Sequence, residues 1–148
     1  MKPITVSVEV NRPAAEVFAF VFDVQNNPKW QRGQRSCAWT SPTPHELDAT
    51  YDQTARFLGR DIVSKFRVSE YEPGRRIRFV STAGPFPIDE SRTVEPLGAG
   101  RSRVTAVVRG DASKTFWIVA PLLRSMVARS VRGDYGRLHR LLQGGSTR

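Results

Sequence analysis

Glu90 and Arg92 stand two residues apart in the run Ile88 to Val94. At the two-residue period of a strand they share a face with Ile88 and Val94. If those apolar ends mark the inward face, a carboxylate and a guanidinium enter the interior together. They are tolerated there only if they pair and are hydrogen-bonded. A pair on a water-exposed face fits the same spacing. Tyr51 and Asp134 could join the set, Tyr51 from another strand-like run and Asp134 from the long terminal helical pattern. Carboxylates and tyrosines can carry out acid–base chemistry without histidine when burial shifts their pKa. Glu90, Arg92, Tyr51 and Asp134 would then serve proton transfer and oxyanion stabilisation.

Other chemistries find little support. His45 lies in a proline-rich turn and His139 among arginines, and neither has the spaced Cys, His or carboxylate companions of a metal site. No serine occupies a nucleophile elbow. Gly98-Ala99-Gly100 is too short for a dinucleotide fingerprint and falls between two strands, as a hairpin turn does. Cys37 is the single cysteine, so no internal disulfide forms, and a buried, inert thiol in the cytosol is expected.

The elements that must position these groups are legible as periodicities. Ile4, Val6, Val8 and Val10 alternate with polar residues as a half-buried strand does. Asn11 is placed to cap the helix that follows, Pro13 suits its first turn, and Ala14 to Phe22 buries Val17, Phe18 and Val21 and could bury Phe22. Asp23 to Trp30 reads as a turn or a short helical turn. Strands are then expected at 35–40, 50–58, 61–71, 76–82, 88–94 and 103–109, divided by turns rich in glycine and proline. The turn that ends the 88–94 strand is placed at Pro96 to Gly100, and Gly110-Asp111 ends the last strand. Finally Thr115 to Leu142 has helical periodicity, with Phe116, Val119, Leu123, Val127, Val131, Leu138 and Leu141 on one face and Arg129, Arg132 and Arg140 opposite. Ser130 and Asp134 interrupt the apolar face. Pro121 should kink this helix or begin its main segment. A sheet of seven antiparallel strands needs cover on one face, and the terminal helix is the only large apolar cover in the sequence.

The chain of 148 residues is the size of one domain and can build a core without metal or disulfides. Its first residues lead straight into a strand, so no signal peptide is expected. No apolar run would span a membrane. The formal net charge of +9 is uneven. Residues 1–74 hold nine basic and nine acidic side chains, whereas residues 75–148 hold fourteen and five. Much of the excess lies on the terminal helix. A solvated arginine face is the plain reading; an anionic membrane, RNA or an acidic partner would also fit it. DNA is not expected.

The opening pattern through Glu16-Val17-Phe18, then Asp23 and Trp30, Glu70-Tyr71-Glu72-Pro73, Gly100 to Thr105 and the closing helix together resemble the START-like (SRPBCC) superfamily, near its polyketide cyclase/dehydrase-like branch. The resemblance covers residues 1–148 as a single domain. It implies an α+β helix-grip fold: a curved seven-stranded antiparallel sheet wrapped around the C-terminal helix, short helices after the first strand, and a cavity between sheet and helix. The family includes lipid carriers, ligand binders and cyclases, so the resemblance leaves the contents of the cavity open.

Within that frame Tyr51, Phe57, Phe66 and Phe79 form cavity wall or plain core. Leu123 and Val127 face them from the helix. Asp134 is expected to hydrogen-bond Arg92. Alternate hairpin turns share one end of a meander, so Leu58, Phe86, Phe116 and Trp117 should gather at one rim, with Arg60 and Lys114 beside them. Such a rim would admit an apolar body and meet an acidic head group. The expected function is a cytoplasmic binding protein for a hydrophobic or amphipathic molecule, lipid or polyketide-like, without cofactor or metal. A cyclase or dehydrase is the alternative. A basic protein that binds RNA or an acidic partner is the third.

Overall fold

Alternation of apolar and polar residues builds most of the sheet. In a computed structural model, which describes residues 3–57, 59–84, 87–110 and 120–143, the strands are β1 (Ile4–Val10), β2 (Gln34–Trp39), β3 (Thr50–Phe57), β4 (Arg60–Glu72), β5 (Arg76–Ala83), β6 (Ile88–Gly98) and β7 (Arg101–Gly110). They form one antiparallel sheet in the order β1-β7-β6-β5-β4-β3-β2. Register shifts between Lys65 and Phe66 and between Val68 and Glu70 interrupt the β4–β5 ladder. Such irregularities increase local twist and bend, which curves a sheet toward one face.

Two features depart from the sequence reading. β6 does not stop at Val94 but runs through Pro96 to Gly98. The Val94 amide is the last to reach toward β5, bonding the Arg75 carbonyl. Two residues on, the nitrogen of Pro96 faces that same side, beyond the end of β5, so its missing N–H breaks no ladder. Asn11 does not cap the first helix, α1 (Ala14–Phe22). Pro13 holds the cap position without a side-chain bond, and the Asn11 amide donates to Gln143 Oε1 instead.

α1 is apolar nearly all round and buries Val17, Phe18, Phe20, Val21 and Phe22. It packs on β6 and β7. A 3₁₀ turn (Val24–Asn26) and the four-residue α2 (Asn27–Trp30) follow, and the Asp23 carboxylate caps the turn by accepting from the Gln25 amide. The terminal helix α3 (Ala120–Gln143) lies along β1 and against α2. Its 24 residues span about 36 Å. Pro121 is the second described residue of α3.

The buried face of α3 is Ala128, Tyr135, Leu138 and Leu142, flanked by Val127, Val131 and Leu141. Its centre is therefore rotated from the expected one. Ser130 is exposed, and Asp134 sits on the flank of the buried face. Leu142 and Leu138 meet a core drawn from β1, α1 and the inner sheet face.

The outer face of the sheet is an ionic ladder. Arg78 makes a two-pronged contact with Asp89 at 2.8 and 2.5 Å and a further bond to Glu70, which also receives Arg76. The Arg76 and Arg78 guanidiniums hold the Glu70 carboxyl below its ordinary value, and Arg78 does the same for Asp89. Gly84 is required where it stands: at φ +134° its Cβ would lie 2.8 Å from Ser64 Oγ.

Two predictions test this architecture. A carboxylate whose folded pKa is depressed contributes stability that is complete above its unfolded value, about 4, and is lost as pH falls through the folded value. Acidification should therefore erode stability below about pH 4, and Asp89→Asn should be less stable than wild type at neutral pH yet lose less on acidification. Urea titrations at several pH values read both effects. At Gly133 an added Cβ meets only the Arg137 guanidinium at 3.8 Å, so Gly133→Ala should raise stability by about 0.5–1 kcal/mol in the same assay.

Candidate active site

The inner face of β6 carries the site. Ile77 opposes Arg92 and Phe79 opposes Glu90 across β5–β6, while Ala106 and Val108 oppose them across β6–β7. The small side chain of Ala106 leaves room for a guanidinium to turn inward. Arg92 is 1% exposed, and the elements that reach it are distant in sequence. Its Nη1 donates to the Val21 carbonyl at 2.8 Å and to Asn27 Oδ1 at 3.0 Å. Nε and Nη2 each lie 3.4 Å from a Glu90 carboxylate oxygen. Its flat guanidinium sits 5.0 Å from the Trp30 ring centroid and 5.1 Å from that of Phe79. Two aromatic faces and a carboxylate thus replace its water.

Tyr135 completes the set from α3. Its hydroxyl donates to Glu90 Oε1 at 2.9 Å, and its ring meets Trp30 edge-on at 4.8 Å. Burial raises the Tyr135 pKa well above the ordinary phenol value, and neighbouring Glu90 adds to the rise, so the hydroxyl remains a donor. Burial alone works against the Arg92 charge, yet Glu90 leaves its pKa above the usual arginine value. Arg92 is a fixed cation.

Tyr51 also lies in this interior. It stacks on Phe66 at 5.1 Å and meets Phe79 edge-on at 5.5 Å. Burial lifts its pKa well above the ordinary value, opposed by Arg92 and assisted by Glu90. Its hydroxyl makes no hydrogen bond among the described residues. Trp30 Nε1 is buried and likewise without a partner there. Glu90 differs from its neighbours: its side chain is 17% exposed while it is held by Arg92 and Tyr135, which are both buried.

The structure brings Tyr51, Phe66, Phe79, Glu90 and Arg92 together, with both members of the charge pair facing inward. Val127 is half-buried against the core. Asp134 does not reach Arg92. It accepts from the Arg32 amide at 3.2 Å and pairs with Arg137, which also donates to the Trp30 carbonyl. Arg92 is already saturated by Val21, Asn27 and Glu90, and the helix turns Tyr135 toward it instead. Asp134 is part of a staple between α3 and the 30–32 link. Burial raises its pKa, opposed by the Arg32 amide and Arg137.

Phe57 belongs to β3 and Leu123 to α3, but their side chains are not among those described. Phe86, Phe116 and Trp117, with Leu58 and Lys114, lie outside the described residues, so the rim is not seen. Asn27, Trp30 and Tyr135 were missed as site residues. Tyr135 carried a signal, since it lies four residues after Val131 and three before Leu138 on the helical repeat. Nothing local marks Asn27.

Cys37 is buried beside this cluster. Its thiol donates to Gln34 Oε1 at 3.0 Å, and burial pushes its pKa up to about 11, so it is unreactive as a thiolate near neutrality. His45 lies elsewhere, edge-on to Phe22 and Trp39 with Nε2 3.6 Å from Asp23. His139 meets the Glu9 carbonyl on β1.

A family model described as polyketide cyclase/dehydrase and lipid transport matches residues 1–143. No curated protein matches the chain. Among solved structures, a protein from Thermus thermophilus is similar over 98% of this chain and all of its own, at 16% identity and TM-score 0.77. The di-domain ARO/CYC protein BexL is similar over 95% of this chain and 46% of its own length, at 19% identity and TM-score 0.77. The Zhui aromatase/cyclase from a Streptomyces species is similar over 98% of both chains, at 14% identity and TM-score 0.66.

Removing the Arg92 charge strands Glu90, Asn27 Oδ1 and the Val21 carbonyl. Arg92→Met should therefore cost about 3–5 kcal/mol of folding stability. Arg92→Met with Glu90→Gln should cost less than the two single substitutions summed, because the second removes the stranded charge. A double-mutant cycle by urea denaturation measures both.

Proposed function

We propose that the chain, which belongs to the polyketide cyclase/dehydrase and lipid transport family, binds an amphipathic small molecule between sheet and α3. The apolar body of such a molecule would lie against the aromatic group of Tyr51, Phe66 and Phe79. An oxygen-bearing end would meet Glu90 and the unpartnered Tyr51 hydroxyl. One observation carries the reading: Glu90 is the part-exposed member of an otherwise buried set of Arg92, Tyr135 and Tyr51. A plain core has no use for such a set, since replacing a buried ion pair by apolar residues is often neutral or stabilising. The ligand class that suits it is a polyketide-like or lipid molecule with a hydroxyl or carbonyl near an apolar body.

The same carboxylate favours a second reading, a cyclase or dehydrase. Glu90 would accept the proton from a carbon next to a carbonyl, and the Tyr51 hydroxyl would donate to the developing oxyanion. Arg92 and Tyr135 would keep Glu90 placed for that step. The aromatase/cyclase names of two similar structures support this reading without assigning it.

Titration with a fluorescent fatty acid and with an aromatic polyketide tests the first reading. Wild type should bind at least one of them, and Tyr51→Phe, which loses one hydrogen bond, should bind it about 2–10-fold more weakly. Failure of wild type to bind either overturns it. For the second reading, hydrogen–deuterium exchange at the central carbon of a β-diketone should run faster with wild type than in buffer, and Glu90→Gln should abolish the gain. Exchange at the buffer rate removes the enzyme reading while leaving the binding one standing.

A further inference from the structure

The outward face of α3 gathers arginines without carboxylate partners on one helix. On the outer sheet most arginines have carboxylate partners: Arg76 and Arg78 share Glu70, Arg78 takes Asp89, Arg67 takes Asp48, and Arg101 and Arg103 share Glu9, while Arg60 and Arg109 stand without one among the described residues. Arg129, Arg132 and Arg140 on α3 are exposed and have no carboxylate partner among the described residues. The positive excess of the chain is therefore not neutralised along this helix.

Apolar groups continue the same stripe. Leu122 is 65% exposed and Met126 49% exposed, two of the four large exposed hydrophobic residues described. At 100° per residue Leu122, Met126, Arg129 and Arg140 fall within about 40° of one line, opposite the buried Tyr135, Leu138 and Leu142. Gly133 and Gly136 lie on that line as well, and added Cβ atoms there would meet only the tips of Arg137 and Arg140. The line is thus apolar at its N-terminal end, then cationic, with low relief between the arginines.

We propose that this face of α3 docks on the surface of a bilayer containing anionic lipid. Leu122 and Met126 enter the boundary of head groups and acyl chains, while Arg129 and Arg140, with Arg132 about 80° to one side of the line, meet lipid phosphates. Apolar groups and arginines on one exposed helical face match an interfacial helix lying in the membrane plane. None of the described helices is long and apolar enough to cross a membrane, so the contact is peripheral. An RNA partner would use the arginines but would leave Leu122 and Met126 in water, and the described stripe offers no aromatic ring on which a base could stack. This inference stands independently of what binds between sheet and helix.

Flotation of the full chain with vesicles tests it. Protein should float with an equimolar mixture of phosphatidylcholine and phosphatidylglycerol and remain unbound with phosphatidylcholine alone. Binding should weaken as salt rises. Arg129→Gln with Arg132→Gln should weaken binding about fivefold for each arginine removed, and Leu122→Ser with Met126→Ser should weaken it at every salt concentration. These side chains are exposed, and circular dichroism checks that each variant remains folded. The salt titration of wild type supplies a measurement that needs no variant. Equal flotation with both vesicle types, no flotation with the mixture, or variants that float as wild type does would overturn the proposal. Retention on polyuridylate without flotation would overturn it in favour of a nucleic-acid partner.

Discussion

A guanidinium removed from water must be met on every side, and Arg92 makes that demand at the centre of this fold. Its partners come from four separate parts of the chain: the Val21 carbonyl at the end of α1, Asn27 and Trp30 in α2, Phe79 on β5, and Glu90 on its own strand. Tyr135 then ties α3 to the same carboxylate. None of these elements can move far without leaving a charge or a carbonyl unpaired. Cooperativity between sheet and helices is therefore partly electrostatic, within a core otherwise made mostly of aliphatic and aromatic side chains.

The members of the cluster differ in exposure. Arg92 and Tyr135 are sealed and bonded, Glu90 is held by both with its side chain 17% exposed, and the Tyr51 hydroxyl has no hydrogen bond among the described residues. A fixed cation beside a carboxylate keeps that carboxylate oriented. The Asp134–Arg137 staple works one step further out. By bonding the Arg32 amide and the Trp30 carbonyl it fixes the segment that presents Trp30 to Arg92.

Much of the fold was legible in the sequence, and particular residues show why. Seven strands and a terminal helix followed from period-two and period-3.6 patterns, which local chain geometry enforces. The pairing of Glu90 with Arg92 on one face followed from the same parity. Their inward direction did not, because polar residues occupy both faces of that strand; Val21 and Asn27 decide it from seventy-one and sixty-five positions away. Pro96 looked like a stop because a proline breaks a ladder only where a partner is waiting, and sequence does not show where β5 ends. On α3 the aliphatic residues were weighed above Tyr135. That placed Asp134 at the middle of the buried face, although the two lie 100° apart on a helix.

This last error shows how the chemistry of such a site is concealed. A tyrosine in a helical repeat reads as core, and here it is core: its ring packs on Trp30 while its hydroxyl serves Glu90. A tryptophan reads as core too, yet Trp30 supplies the face that lies against Arg92 and leaves its N–H without a partner. Aromatic residues with one polar atom can satisfy a packing pattern and a polar site together, so hydropathy assigns them wholly to the first. Charge is easier to find because it has no packing alibi. The pair Glu90–Arg92 was visible from sequence for that reason, and the uncharged members of the cluster became visible only when the fold placed them around it.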